Sequence, residues 1–195
     1  MGRVAMGIYS KRIPMALVAA FAMIVLSMPG LADQQDKRLD SLFDILHFAP
    51  LNSQEAYIAQ QGIWALWIQA PTASGRVLMR QGTQQMSQGD MEQAIKTFSA
   101  LIALEPDFAE AWNKRATIYF MQGNYSDSLA DIYETLEREP RHFGAKSGLG
   151  LILDAMEEPE AALQAFHEAL EINPHMDQIR ERVEQLKKQI QGRQL

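Results

Sequence analysis

Apolar side chains in this chain recur three and four residues apart within segments, and the segments themselves recur every 34 residues. Pro106, Pro140 and Pro174 close successive segments, in the settings Leu104-Glu105-Pro106, Arg138-Glu139-Pro140 and Ile172-Asn173-Pro174. The same register aligns Ala94 with Ser128 and Ala162, Phe98 with Ile132 and Phe166, and Leu101 with Thr135 and Ala169. It also aligns Leu78 with Trp112 and Lys146, and Gly82 with Ala116 and Gly150. These columns predict helical hairpins. The small residues let two helices cross closely, the large ones fill the space between hairpins, and each proline stops a second helix.

The turns inside the hairpins fall at Gly89-Asp90, Gly123-Asn124 and Glu158-Pro159. Asp90 and Asn124 read as N-caps, with Gln93 and Asp127 three positions on as reciprocal partners. Pro159 fits a first helical position, where a missing N–H costs nothing. Beyond the last hairpin, Ile179, Val183, Leu186 and Ile190 form one stripe of a helix opened by Asp177, the cover that an open-ended stack needs. Before the first, Leu39, Leu42, Phe43 and Leu46 share one face, and a break spans Pro50 to Ser53. A second segment then carries Ala59, Ile63, Trp64 and Trp67 and ends at Pro71. Residues 36–70 are expected to be a degenerate hairpin capping the N-terminal side of the stack.

The pattern resembles the tetratricopeptide repeat (TPR), most strongly along Ala111-Trp112-Asn113-Lys114-Arg115-Ala116 and on through Tyr119 to Gly123-Asn124-Tyr125. The resemblance implies an all-α fold, a right-handed superhelical stack of three hairpins at 75–108, 109–142 and 143–176. An N-terminal hairpin (33–74) and a C-terminal capping helix (177–195) complete it. The layout is similar to that of secreted proteobacterial TPR proteins of unassigned activity.

Composition adds a compartment and removes several chemistries. Arg3, Lys11 and Arg12 precede an apolar run from Ile13 to Met28, followed by Pro29-Gly30 and Gly30-Leu31-Ala32. That order is the pattern of a secretory signal peptide cut after Ala32. The expected location is therefore the periplasm, with an uncleaved signal anchored in the inner membrane as the alternative. The run of 16 residues falls short of the roughly 20 that span a bilayer. The chain after Ala32 keeps 15 basic and 24 acidic side chains, a net charge of −9, which repels nucleic acid and anionic lipid. With no cysteine there is no disulfide, thiol nucleophile, Cys-based zinc site or lipid attachment.

Catalytic signatures are missing. His47, His142, His167 and His175 form no metal-binding spacing, and no HExxH, Walker loop or nucleophile elbow occurs. Ser147-Gly148-Leu149-Gly150 lacks the third glycine and the strand of a phosphate loop. Asn124-Tyr125-Ser126 matches a glycosylation sequon but reads better as a capped turn. Of the 11 methionines, five (Met1, Met6, Met15, Met23 and Met28) lie in the signal and the rest are scattered, which suits packing and not copper. No enzyme activity, cofactor, small-molecule substrate or metal is expected.

The resemblance implies that the first helix of each hairpin lines a concave groove through its second, fifth, sixth, ninth and twelfth positions. These are Arg76, Met79, Arg80, Thr83 and Met86; then Glu110, Asn113, Lys114, Thr117 and Phe120; then Gly144, Ser147, Gly148, Leu151 and Asp154. The groove is expected to have a basic and polar wall (Arg76, Arg80, Asn113, Lys114), an apolar floor (Met79, Met86, Phe120, Leu151) and a bare glycine end. Arg80, Asn113 and Lys114 would hold a carboxylate of a partner segment, and Gly144 and Gly148 would admit its backbone. The competing reading pairs Arg80 and Lys114 with Glu110 inside the groove. The chaperone-tail clamp of other TPR domains is not reproduced, since Met79, Thr83, Lys114, Gly144 and Gly148 stand at its positions. The expected function is a non-catalytic scaffold for a protein or peptide partner, with an assembly factor for an envelope machine as the alternative. Self-association is expected through Trp64 and Trp67 if the N-terminal hairpin leaves them exposed.

Overall fold

The structure, a computed structural model, describes residues 36–193. The targeting segment read at residues 1–32 lies outside them. The described residues form nine helices and no strand: α1 (Arg38–Phe48), α2 (Gln54–Trp67), α3 (Ala73–Ser87), α4 (Met91–Leu104), α5 (Ala109–Met121), α6 (Tyr125–Arg138), α7 (Phe143–Ala155), α8 (Pro159–Ile172) and α9 (Asp177–Arg193). Helices α3–α4, α5–α6 and α7–α8 are the three repeated hairpins, and α9 packs on α8.

Close crossing within each hairpin depends on the small-residue column. A Cβ on Gly82 would lie 2.7 Å from the Phe98 ring, and one on Gly150 would lie 2.5 Å from the Phe166 ring. Phe98 and Phe166 are fully buried, each contributing roughly 2–3 kcal/mol of transfer free energy. Between hairpins, Ala111 and Ile118 of the second repeat join Phe98, Leu101 and Phe108 of the first in one cluster. Ala145 and Ile152 of the third meet Ala116 and Ile132 of the second. Ile179, Val183 and Leu186 of α9 cover Ala162 and Phe166. On α9 the small-residue column falls at Glu184, a side chain too large and too polar to accept a crossing partner helix.

Helix starts follow local chemistry. Ser53, Thr72 and Asp90 each accept a backbone N–H of the first turn with a side-chain oxygen, and Pro159 opens α8. Asn124 departs from expectation. Its side chain makes no cap bond but donates from Nδ2 to Asp127 Oδ2 at 2.6 Å. Asp127 takes the donor end of the amide, and the amide oxygen, the group that would cap, accepts no first-turn N–H. Gly89 and Gly123 take the left-handed φ values that the turns require, +80° and +74°. The third turn places Glu157 there, at φ +62°.

The N-terminal hairpin is not where the sequence put it. It reaches past the first repeat to the junctions around the third. Asp40 pairs with Arg141 at 2.7 Å, and Gln60 accepts from Asn173 Nδ2 at 2.8 Å. The Leu46 carbonyl meets His175 Nε2 at 2.9 Å. The core of α1 and α2 includes Phe143, with Ile172 and Met176 packed against it. The indoles supply the physical reason. Trp67 is 1% exposed and can be buried at the start of the third repeat because His142 closes the second repeat there and Phe143 and Gly144 open the third. The expected self-association through exposed tryptophans is therefore corrected for Trp67, which is buried; Trp64 is half-buried.

Candidate functional site

The inner faces of α3, α5 and α7 carry the groove positions. Most of their polar groups are already engaged. Thr83 donates to the Met79 carbonyl at 2.8 Å, Thr117 to the Asn113 carbonyl at 2.9 Å, and Ser147 to the Gly144 carbonyl at 2.9 Å. Each hydroxyl is satisfied by its own helix. Arg76 is turned back onto the linker, donating to the carbonyls of Ala70 (3.2 Å) and Pro71 (2.9 Å).

The expected carboxylate clamp holds a carboxylate of the chain itself. Glu110 is 1% exposed, and its Oε1 lies 3.0 Å from Lys114 Nζ. Its Oε2 accepts from Asn113 Nδ2 at 2.9 Å and meets His142 Nε2 at 2.9 Å. Burial alone would push this carboxyl upward. The Lys114 ammonium and the His142 hydrogen bond outweigh it and hold the group at about 2. Asn113 and Lys114 are thereby taken. Arg80 is exposed and makes no hydrogen bond or ion pair with any described residue.

His142 ties this cluster to the N-terminal hairpin. Its Nδ1 accepts the Ala145 N–H at 2.9 Å, capping α7, so the proton sits on Nε2 and is donated to Glu110. The Trp67 ring stacks on the imidazole at 4.1 Å, while Trp64 meets it edge-on at 5.6 Å. Lys114 Nζ lies 5.8 Å from the Trp64 ring centroid.

Other expected groove residues are also displaced from that role. Met79 is 5% exposed and belongs to the core with Phe98, so it forms no floor. Gly144 is not bare: a Cβ there would lie 2.6 Å from Trp64 Cη2. Gly148 is half-buried, with only the tip of Ile132 near a Cβ position, at 3.3 Å. Phe120 is half-buried against Tyr125, and Leu151 is 39% exposed. Asp154 is held by both arms of Arg182 from α9, at 2.6 and 2.7 Å. The concave face thus has an end covered by α2, at Lys114 and Gly144. It has an open stretch carrying Arg80, Thr83, Thr117, Phe120 and Leu151.

Glu110 and His142 carry the electrostatics of the covered end; the sequence reading names Glu110 as a groove position and a rival partner for Lys114, and passes over His142. A signal existed for His142. It stands in a column with Phe108 and Met176, where a large buried side chain is required. Among the described residues no three His, Cys, Asp or Glu side chains converge to hold a metal.

Comparison with known proteins agrees with this fold. The pattern of the tetratricopeptide repeat matches residues 79–138 and 123–177. A TPR repeat-containing protein of Rhizobium etli is 32% identical over 179 residues, which cover 92% of this chain and 87% of that one. Protein bimA of Emericella nidulans is 32% identical over 87 residues, but those are only 11% of its length. Among solved structures, the first TPR of Spaghetti bound to an HSP90 peptide superposes with a TM-score of 0.58 at 19% identity, covering 60% of this chain and 92% of that one. The MamA protein superposes with a TM-score of 0.56 at 18% identity, covering 89% and 83%. At such identities the structures share a fold.

Proposed function

Because this chain belongs to the tetratricopeptide-repeat family, we propose that it is an exported, non-catalytic scaffold that holds a segment of a partner protein on the open stretch of its concave face. The observation that carries the reading is the contrast along that face. Lys114 and Arg182 are neutralised by Glu110 and Asp154, while Arg80 is exposed with no partner among the described residues and Leu151 offers accessible apolar surface. An exposed guanidinium on α3 and accessible apolar surface on α7 suit a partner segment that runs along the face with an acidic group and a hydrophobic side chain. Stacked repeats expose extended surfaces of this kind, and the Spaghetti repeat domain was solved with a peptide bound. The periplasm is the proposed compartment, on the strength of the charge, apolar run and small residues before Asp33.

The test is affinity capture from a periplasmic extract by the chain from Asp33 onward, beside an Arg80→Glu, Leu151→Asp version. A partner retained by the first and lost by the second supports the reading. Equal capture by both, or capture by neither, removes this surface as the binding site. N-terminal sequencing of the exported protein tests the compartment, with Asp33 as the expected first residue.

A further inference from the structure

The covered end of the groove is built like a binding site for a helix. Trp64 and Trp67 stand three positions apart and so project from one side of α2. They enter a seat made by Lys114, His142, Phe143 and Gly144. Trp67 lies parallel to His142 with planes 10° apart, and Trp64 packs edge-on to Phe143 at 5.4 Å. The missing Cβ of Gly144 makes room for the Trp64 ring.

Two features distinguish this docking from an ordinary core. First, α1 and α2 pack on each other: Leu39, Leu42 and Leu46 face Ala59, Ile63 and Leu66, and Leu42 comes within 3.1 Å of a Cβ position on Gly62. The hairpin is thus a unit, joined to α3 through residues 68–72. Second, the docked state leaves the Trp67 Nε1–H buried without an acceptor. An unmet buried donor weakens the docked state relative to one where water reaches it. Of the polar tethers, Asp40 to Arg141 is exposed and readily exchanged for water, and Gln60 to Asn173 and the Leu46 carbonyl to His175 are only half-buried.

We infer that the seat of Lys114, His142, Phe143 and Gly144 is a site for an amphipathic helix with aromatic side chains at i and i+3, and that α2 is its resident, exchangeable occupant. The preferred partner helix carries phenylalanine at the second aromatic position, since that ring fills the place of Trp67 without burying a donor. The inference rests on reading the concave face as a protein-binding surface. It adds that the end of that surface at Lys114 and Gly144 is closed until the hairpin lifts.

The chain contains no cysteine, so a pair introduced at Asp40→Cys and Arg141→Cys can be joined specifically by a short bis-maleimide. The probe is a labelled peptide of residues 54–70, and a second peptide has Trp67→Phe. The unbridged protein is expected to bind the probe, the Trp67→Phe peptide several-fold more tightly, and bridging is expected to weaken both at least tenfold. Hydrogen exchange on the unbridged protein should show α1 and α2 opening together before α3–α8. Equal binding to bridged and unbridged protein, binding to neither, or exchange of α1 and α2 only with the repeats overturns the inference. None of these outcomes touches the Arg80 and Leu151 stretch, whose capture experiment fails or succeeds independently.

Discussion

The Trp67 indole lies flat on the His142 imidazole, with 4.1 Å between centroids. Beneath that stack the same imidazole bonds Glu110 and caps α7. One ring therefore joins the second repeat, the third repeat and the N-terminal hairpin.

Replacing His142 by alanine removes the cap, the donor to a buried carboxylate and the stacking partner together. The expected loss is roughly 3 kcal/mol, read from urea denaturation. His142→Asn should recover about 1 kcal/mol of it, because an asparagine oxygen can accept the Ala145 N–H. Equal losses for both variants would mean that the cap contributes nothing.

Glu110 makes stability depend on pH in a defined window. Its folded pKa, about 2, lies below the ordinary 4.5, so the unfolded chain binds protons first as the pH falls. Its contribution is complete above pH 4.5 and is lost as the pH drops toward 2, on the order of 3 kcal/mol in all. Glu110→Gln, unable to titrate, should flatten the stability profile in that window. An unchanged slope would show that other carboxylates dominate it.

Two glycines on α7 should respond oppositely to alanine. Gly150→Ala drives a methyl to 2.5 Å from the Phe166 ring and is expected to cost about 1–3 kcal/mol despite better helix propensity. Gly148→Ala meets only the movable Ile132 tip, so propensity should prevail with a gain of about 0.5–1 kcal/mol. Thermal midpoints of the two variants decide it, and a shift of the same sign in both would contradict the argument.

The third hairpin turn carries avoidable strain. Glu157 holds the left-handed conformation that Gly89 and Gly123 occupy without penalty in the other two turns. Glu157→Gly is expected to raise stability by about 0.5–1 kcal/mol in urea denaturation. Loss of stability would mean that the Glu157 side chain contributes more than its backbone costs.

The repeats were legible because each column reports a local requirement. A crossing needs a small residue at Gly82 or Gly150, and a helix end tolerates Pro106 or Pro140. The groove was less so. Family positions identified which residues face inward and offered Glu110 as a rival partner for Lys114, but did not decide for that pairing, nor show that Thr83, Thr117 and Ser147 would bond to their own helices. Those outcomes depend on side-chain partners at one turn's distance, where several choices compete. The place of the N-terminal hairpin could not be read from periodicity, which reports faces and not destinations. Trp64 and Trp67 announced an apolar face, yet its complement at His142, Phe143 and Gly144 lies some 75 residues along the chain.

That separation sets an order of events during synthesis. Each repeated hairpin can form from neighbouring residues as the chain lengthens, since its contacts are short in sequence. The N-terminal hairpin is made before the repeats but must wait, because Arg141, His142, Phe143, Asn173 and His175 are made late. Until they appear, the tryptophan face of α2 has no cover and is open to any helper that recognises exposed aromatic surface. The helix pair made before the repeats is the last to find its place.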